Sequence, residues 1–190
     1  EILDDTGYGT TLLGNLQTLN TRKLSKRVGY NSMFSYYPRT DGDGSRIIGF
    51  YNGSYGSSSS MNREHVWPAS KTVLGRDKDP LEDDIHMVRP TFKSDNSSRG
   101  NEFFVEGKNG SNGWDPANCG NASYRGDSAR IIFYCVVADS QLSLVDKEWD
   151  TNSKHTMGKL SDLLKWNLEY PVLDREDTRN DEAEKIQGNL

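Results

Sequence analysis

Apolar residues recur at two spacings along the chain, and these divide it into helices and short strands. Leu12, Leu13, Leu16, Leu19 and Leu24 fall at helical intervals, which predicts an amphipathic helix over 10–28. The run Arg46-Ile47-Ile48-Gly49-Phe50-Tyr51 predicts a short strand, and the Gly/Ser run 56–60 a flexible loop. Met61 to Ala69 predicts a strand ending at Pro68. An acidic loop follows over 77–84, then a second strand over Ile85 to Val88, stopped by Pro90. Ser94 or Asp95 has the character of a helix cap, and the Gly- and Asn-rich stretch 107–123 reads as loop. The β-branched residues of 127–138 favour a strand by propensity. The length of that stretch, Asp127 at its start and the spacing of Ile131, Tyr134, Cys135 and Ala138 favour a buried helix. Leu160, Leu163, Leu164 and Leu168 share one face of a helix over 156–169, and a charged helix covers 176–187. The fold class is α+β: one mainly helical domain over 1–190 with a small sheet.

Composition narrows the class. Of the 190 residues 33% are hydrophobic; mean hydropathy is −0.81. No run approaches the ~18 consecutive apolar residues of a membrane-spanning helix. Two cysteines exclude a four-thiolate zinc site and a disulfide-built miniprotein, and Cys119 and Cys135 read as unpaired. The charge is uneven: residues 1–130 carry 16 Lys/Arg and 16 Asp/Glu, whereas 131–190 carry 7 and 12, the whole net charge of −5. An acidic chain argues against nonspecific coating of nucleic acid but leaves room for a basic groove in the neutral part. Arg22, Lys23, Lys26 and Arg27 form either such a patch or a solvated helix face.

Three histidines occur, at 65, 86 and 155. Glu64-His65 ends the predicted strand before Pro68. Adjacent strand residues point to opposite faces, so the pair can serve one pocket only where the strand bends or ends. Asp84-Ile85-His86-Met87-Val88-Arg89-Pro90 and Asn96-Ser97-Ser98-Arg99-Gly100-Asn101 follow. Together these segments supply carboxylates, imidazoles, carboxamides and guanidiniums. HExxH and GxSxG are absent, and the Gly-rich loop lacks the lysine of a phosphate-binding P-loop, which excludes zincin, serine-hydrolase and P-loop chemistry. An oxygen-ligated divalent ion fits better, because magnesium accepts few protein oxygens and keeps several waters. With an imidazole to take a proton and arginine forks to grip phosphate, the set suits phosphodiester hydrolysis.

The segment Asn62-Arg63-Glu64-His65-Val66-Trp67-Pro68 resembles the NREHxWP signature of the endonuclease I family, which belongs to the ββα-metal, or His-Me finger, nucleases. Asp84-Ile85-His86 with Pro90, Asn96 to Asn101, and Arg125-Gly126-Asp127-Ser128-Ala129-Arg130 resemble later blocks of that family in the same order. So do Leu163-Leu164-Lys165-Trp166, Pro171-Val172 and Ile186-Gln187-Gly188-Asn189. The resemblance implies a ββα-metal core over about 61–105, with His65 as the general base that activates water. Glu64 and Asn96 would be the protein ligands of one Mg2+, with Mn2+ or Ca2+ as substitutes. His86 would support the site or sit hydrogen-bonded beneath the hairpin. Arg99 would bind phosphate or tie the Asn96 helix to the core. Arg89 is a further phosphate candidate, Arg76 could reach the product phosphate, and His155 reads as a surface residue.

The implied activity is a sequence-nonspecific endonuclease that cleaves DNA, and RNA as a further substrate, leaving 5′-phosphate ends. The protein would be secreted or periplasmic, monomeric and without membrane contact. Two alternatives stand beside it: a ribonuclease, and a nucleic-acid-binding module of the same fold with impaired catalysis.

Overall fold

The computed structural model describes residues 9–23, 26–150 and 154–189. Helix α1 (Thr10–Lys23) is followed by a 3-10 turn at Tyr30–Ser35 and a single helical turn, α2 (Tyr37–Thr40). Strands β1 (Ile47–Ile48) and β2 (Tyr55–Gly56) pair antiparallel. A longer hairpin joins β3 (Met61–His65) to β4 (Val88–Phe92), in the register Glu64 opposite Arg89 and His65 opposite Val88. Helix α3 (Lys93–Arg99) starts where β4 ends. Helix α4 (Tyr124–Ala138), the short parallel pair β5 (Ser143–Leu144) and β6 (Thr156–Met157), and helices α5 (Leu160–Glu169) and α6 (Asp174–Gln187) complete the chain. Helix α4 packs against α5 and α1, and α2 against α6.

Helix α4 shows why the buried-helix reading wins over β propensity. Ser128, Ile131, Ile132 and Cys135 are buried at helical spacing. A glycine at 126 lets a neighbour approach closely: a Cβ there would lie 2.6 Å from the Tyr170 carbonyl oxygen. Helix α6 is different, since Arg179 and Gln187 are among its few buried residues. It is held by polar contacts. Gln187 bridges Asp84 (2.9 Å) and the Ile85 N–H (2.8 Å), and Arg179 reaches Asp41 (3.1 Å) and the Ile85 carbonyl. The apolar core includes fully buried Trp67, Trp114, Trp166, Phe103 and Phe104.

Several boundaries differ from the pattern reading, each for a physical reason. The first helix stops at Lys23, and residues 26–29 are non-helical; Leu24 lies outside the described residues. The strand at 46–51 shortens to Ile47–Ile48, because Tyr51 has a positive φ of 79° and turns the chain. The strand predicted to run to Pro68 ends at His65, where a loop with a 3-10 turn at Ala69–Lys71 takes over.

The second strand is displaced most. Ile85–Met87 form a turn, and the strand begins at Val88 and includes Pro90. Pro90 lies opposite Arg63, and its carbonyl accepts the Phe50 N–H at 2.7 Å, facing away from β3. The missing proline N–H therefore falls on the side of β4 away from β3, where it breaks no bond of the β3–β4 ladder. Neither Ser94 nor Asp95 caps α3, whose N-cap position is Phe92 without a side-chain bond; Asp95 accepts instead from Asn52 (2.7 Å). Residues 156–157 of the predicted 156–169 helix are strand β6. Within the loop at 107–123, Pro116–Cys119 form a 3-10 turn. Cys119 and Cys135 are both free thiols.

Candidate active site

Strand β3 delivers Arg63, Glu64 and His65, and α3 delivers Asn96, to a polar cleft of about 300 Å³. The strand ends at His65, so both side chains of the Glu-His pair reach the same opening although they leave the backbone on opposite sides. Arg63 and His65, two residues apart, share a face that holds Tyr30. The His65 ring lies against the Tyr30 ring with centroids 5.1 Å apart and planes 12° from parallel. The Arg63 guanidinium sits 3.9 Å from the Tyr30 centroid and donates to the Tyr30 carbonyl (3.0 Å). The Tyr30 N–H is in turn tied to Asp83 (2.6 Å).

Glu64 points the other way, into the protein, and is 2% exposed. Its Oε1 accepts the Tyr51 hydroxyl at 2.8 Å and stands 3.4 Å from Arg99 Nη1. Burial pushes this carboxyl up to about 7, against the opposing pull of Arg99 and of the Tyr51 hydrogen bond. His65 moves the opposite way. Burial, then the guanidiniums of Arg76, Arg99 and Arg63, push it down to about 4, so it is neutral near pH 7. Among the described residues its buried Nε2 has no hydrogen-bond partner, and a Glu82 carboxylate oxygen stands 3.5 Å from it. The cleft therefore holds a neutral imidazole beside a carboxyl group whose burial Arg99 and Tyr51 only partly offset. Arg76 lines the same opening.

Arg99 is committed to the scaffold. It is 1% exposed and donates to the carbonyls of His65 (3.2 Å), Val66 (2.6 Å) and Gly100 (3.2 Å). It thus ties the end of α3 to the end of β3 and puts a positive charge beside Glu64. Gly100, with φ 56°, ends α3 at the cleft in a conformation that disfavours side chains.

His86 and Arg89 are not brought to this cleft. His86 shares its Nε2 with the Asn189 carbonyl (3.1 Å) and its ring packs on Tyr134 (4.9 Å). Its backbone N–H donates to Asp84 (2.9 Å), which also accepts from Tyr134 (2.8 Å). Burial lowers His86 from its ordinary range, opposed by Asp84. Arg89 donates through Nε to Asp41 (2.7 Å) and lies over the Phe50 ring (4.3 Å). The Asp84-Ile85-His86 block thus serves the docking of the C-terminal segment.

Tyr30 and Tyr51 were missed by sequence reasoning, and no local signal marked them, since each meets the site through a distant contact. Arg63 could have been found, because it lies inside the Asn62–Pro68 segment.

The donor set suits a hard divalent cation. Glu64 carries a carboxyl group whose burial is only partly offset, and Asn96 adds an amide at the same opening. Among the described residues no group of three or more His, Cys, Asp or Glu is placed to hold a metal. An ion here would rest on one carboxylate, one amide and water, a combination that magnesium accepts.

The fold and the site define an α+β protein in which a hairpin and the helix after it frame one polar cleft. The chain belongs to the endonuclease I family, whose sequence profile matches residues 4–190. It is similar to the extracellular ribonuclease of Bacillus subtilis (strain 168), 36% identical over 151 residues, 70% of this chain and 50% of the relative. It is equally similar to the extracellular ribonuclease of Bacillus amyloliquefaciens, 36% identical over 142 residues, 66% of this chain and 47% of the relative. The chain spans about half the length of these curated relatives. No helix among the described residues is long and apolar enough to cross a membrane.

Proposed function

We propose that this protein is a secreted or periplasmic endonuclease that hydrolyses nucleic-acid phosphodiester bonds with His65 as general base and one Mg2+ held by Glu64 and Asn96. The observation that carries this reading is the convergence of Glu64, His65, Asn96, Arg63 and Arg76 on one cleft. In it, β3, β4 and α3 act as a ββα-metal motif. Magnesium supplies charge neutralisation at phosphate as negative charge builds in the transition state.

The protein's own groups do the rest. His65 is neutral at working pH, so it can take the proton from a water attacking phosphorus in line with the departing 3′ oxygen. Tyr30 holds the imidazole plane. Arg63 and Arg76 offer guanidinium N–H groups to the non-bridging oxygens. Arg99 has no part in gripping phosphate, because it is buried and both its terminal nitrogens are turned to backbone carbonyls, with Glu64 beside Nη1. Bond cleavage in this direction leaves 5′-phosphate ends.

RNA joins DNA as a proposed substrate because both relatives are named ribonucleases. Phosphate contacts position a strand without reading its sequence, which favours nonspecific cleavage. Digestion of supercoiled plasmid and of a long RNA, each with Mg2+ and with EDTA, tests the reading. Cleavage of at least one polymer only with Mg2+ is expected; cleavage of neither, or undiminished cleavage in excess chelator, would overturn it.

A further inference from the structure

Away from the catalytic cleft, a second cavity of about 270 Å³ opens between α4 and α6, with Arg89 and Arg179 in its lining. Both guanidiniums are nine-tenths or more buried, at 7% and 5% exposure. They share a single acceptor, Asp41 Oδ1, through Nε at 2.7 and 3.1 Å. The other oxygen of Asp41 takes the Thr40 hydroxyl at 2.7 Å. One carboxylate therefore serves two buried cations. Arg179 uses a terminal nitrogen on the Ile85 carbonyl. Arg89 makes no hydrogen bond beyond that from Nε among the described residues, which leaves the four N–H groups of its fork without a protein acceptor.

The acids on the lining are paired with other groups or turned to solvent. Asp127 is engaged by Arg175 (2.7 Å), and both oxygens of Glu176 are engaged by Arg130 (2.6 and 2.7 Å). Asp177 lines the cavity but is exposed. The cavity is lined by three guanidiniums, of Arg89, Arg130 and Arg179, and by three carboxylates, of Asp127, Glu176 and Asp177. None of these carboxylates accepts from the Arg89 fork among the described residues, so its terminal N–H groups are free to take a mobile anion.

We infer that this cavity is a binding site for a small tetrahedral oxyanion, phosphate or sulfate, held by the terminal N–H fork of Arg89. A planar fork matches two oxygens of such an ion. Asn180, half-buried on α6, lines the cavity and offers an amide. The site is separate from the Glu64–Asn96 cleft and does not depend on the nuclease reading.

The test is calorimetric titration of inorganic phosphate into the whole protein, without Mg2+ and with EDTA, alongside thermal unfolding at each concentration. Saturable binding of one phosphate is expected, with a rise in Tm as ligand stabilises the folded state. Arg89→Lys keeps the charge and removes the fork, and should weaken binding about tenfold. Asn180→Asp puts a negative charge at the cavity and should weaken it by about the same factor. Arg76→Ala, in the catalytic cleft, should leave it unchanged. Absence of saturable binding at tens of millimolar phosphate overturns the inference. So does binding that Arg76→Ala abolishes and Asn180→Asp leaves intact, which would assign the ion to the catalytic cleft. If Arg89→Lys does not fold, Asn180→Asp decides, since its side chain is half-buried and lies on a helix.

Discussion

The imidazole of His65 lies flat on the ring of Tyr30, 5.1 Å between centroids and 12° from parallel. Tyr30 is itself fixed by Asp83 at its N–H and by Arg63 at its carbonyl. A flat contact of this kind restricts rotation of the imidazole and so its direction of proton transfer. Tyr30→Ala should lower kcat by about tenfold or more through lost orientation, with the Mg2+ dependence kept. Tyr30→Phe, which retains the ring, should stay close to the parent. Equal losses in both variants would assign the effect to the hydroxyl and remove the stacking argument.

His65→Ala should lose on the order of 10²–10⁴ in rate, the usual contribution of a general base. The fold should survive, because among the described residues the buried Nε2 of His65 has no hydrogen-bond partner in the scaffold. Plasmid nicking and RNA digestion, with circular dichroism as the folding control, measure this. Near-normal activity would move the base elsewhere.

Glu64 and Asn96 should behave unequally toward Mg2+. A carboxylate attracts a cation more strongly than an amide does, so Glu64→Ala should raise the Mg2+ needed for half-activity more than Asn96→Ala. Asn96→Asp should bind Mg2+ more tightly and turn over more slowly, since added negative charge also repels the scissile phosphate. Titration calorimetry of Asn96→Asp that finds no gain in Mg2+ affinity would remove Asn96 from the ligand set.

Arg99→Ala should act on stability rather than on substrate affinity. It removes the charge beside buried Glu64 and leaves the Val66 carbonyl without its 2.6 Å donor. Breaking such a buried pair costs about 3–5 kcal/mol, readable as a lower urea midpoint. A variant of parental stability with a raised KM would instead make Arg99 a phosphate ligand.

Stability should fall as pH drops below about 6.5, the ordinary histidine value, in part because His86 is held neutral. Burial, Arg179 and Arg89 lower its folded pKa, while Asp84 opposes them. Between that lowered value and the ordinary one the unfolded chain binds a proton that the folded chain does not, so acid favours unfolding. His65 contributes with the same sign, and Glu64, raised to about 7, with the opposite sign. Comparing urea unfolding of the parent and His86→Gln between pH 7 and pH 5 isolates the His86 share. The variant should lose less stability across this range, and an unchanged slope would contradict the assignment.

The sequence by itself determined the elements whose period is local. Over 127–138 the length, Asp127 and the spacing of Ile131, Tyr134, Cys135 and Ala138 outweighed β-branched propensity and gave the buried helix, and α5 follows from its leucines. It also determined the chemistry offered: Glu64-His65 and Asn96 stand in contiguous segments that can be read without knowing where the chain goes. Only the tertiary structure decided which side chains meet. Pro90 looked like a stop, yet it is tolerated in β4 because its missing N–H falls on the side away from β3, a fact set by the partner strand. His86 and Arg89 stand in the same block as residues near the hairpin, but Asn189 and Asp41, far away in the chain, draw them from the cleft. Tyr30 and Tyr51 enter the site in the same way, through a ring contact and a hydrogen bond to β3. Spacing along a chain carries the direction of a side chain within its own element. The neighbour that side chain finds depends on how the elements pack, because burial leaves each polar group only the partners that packing brings within reach.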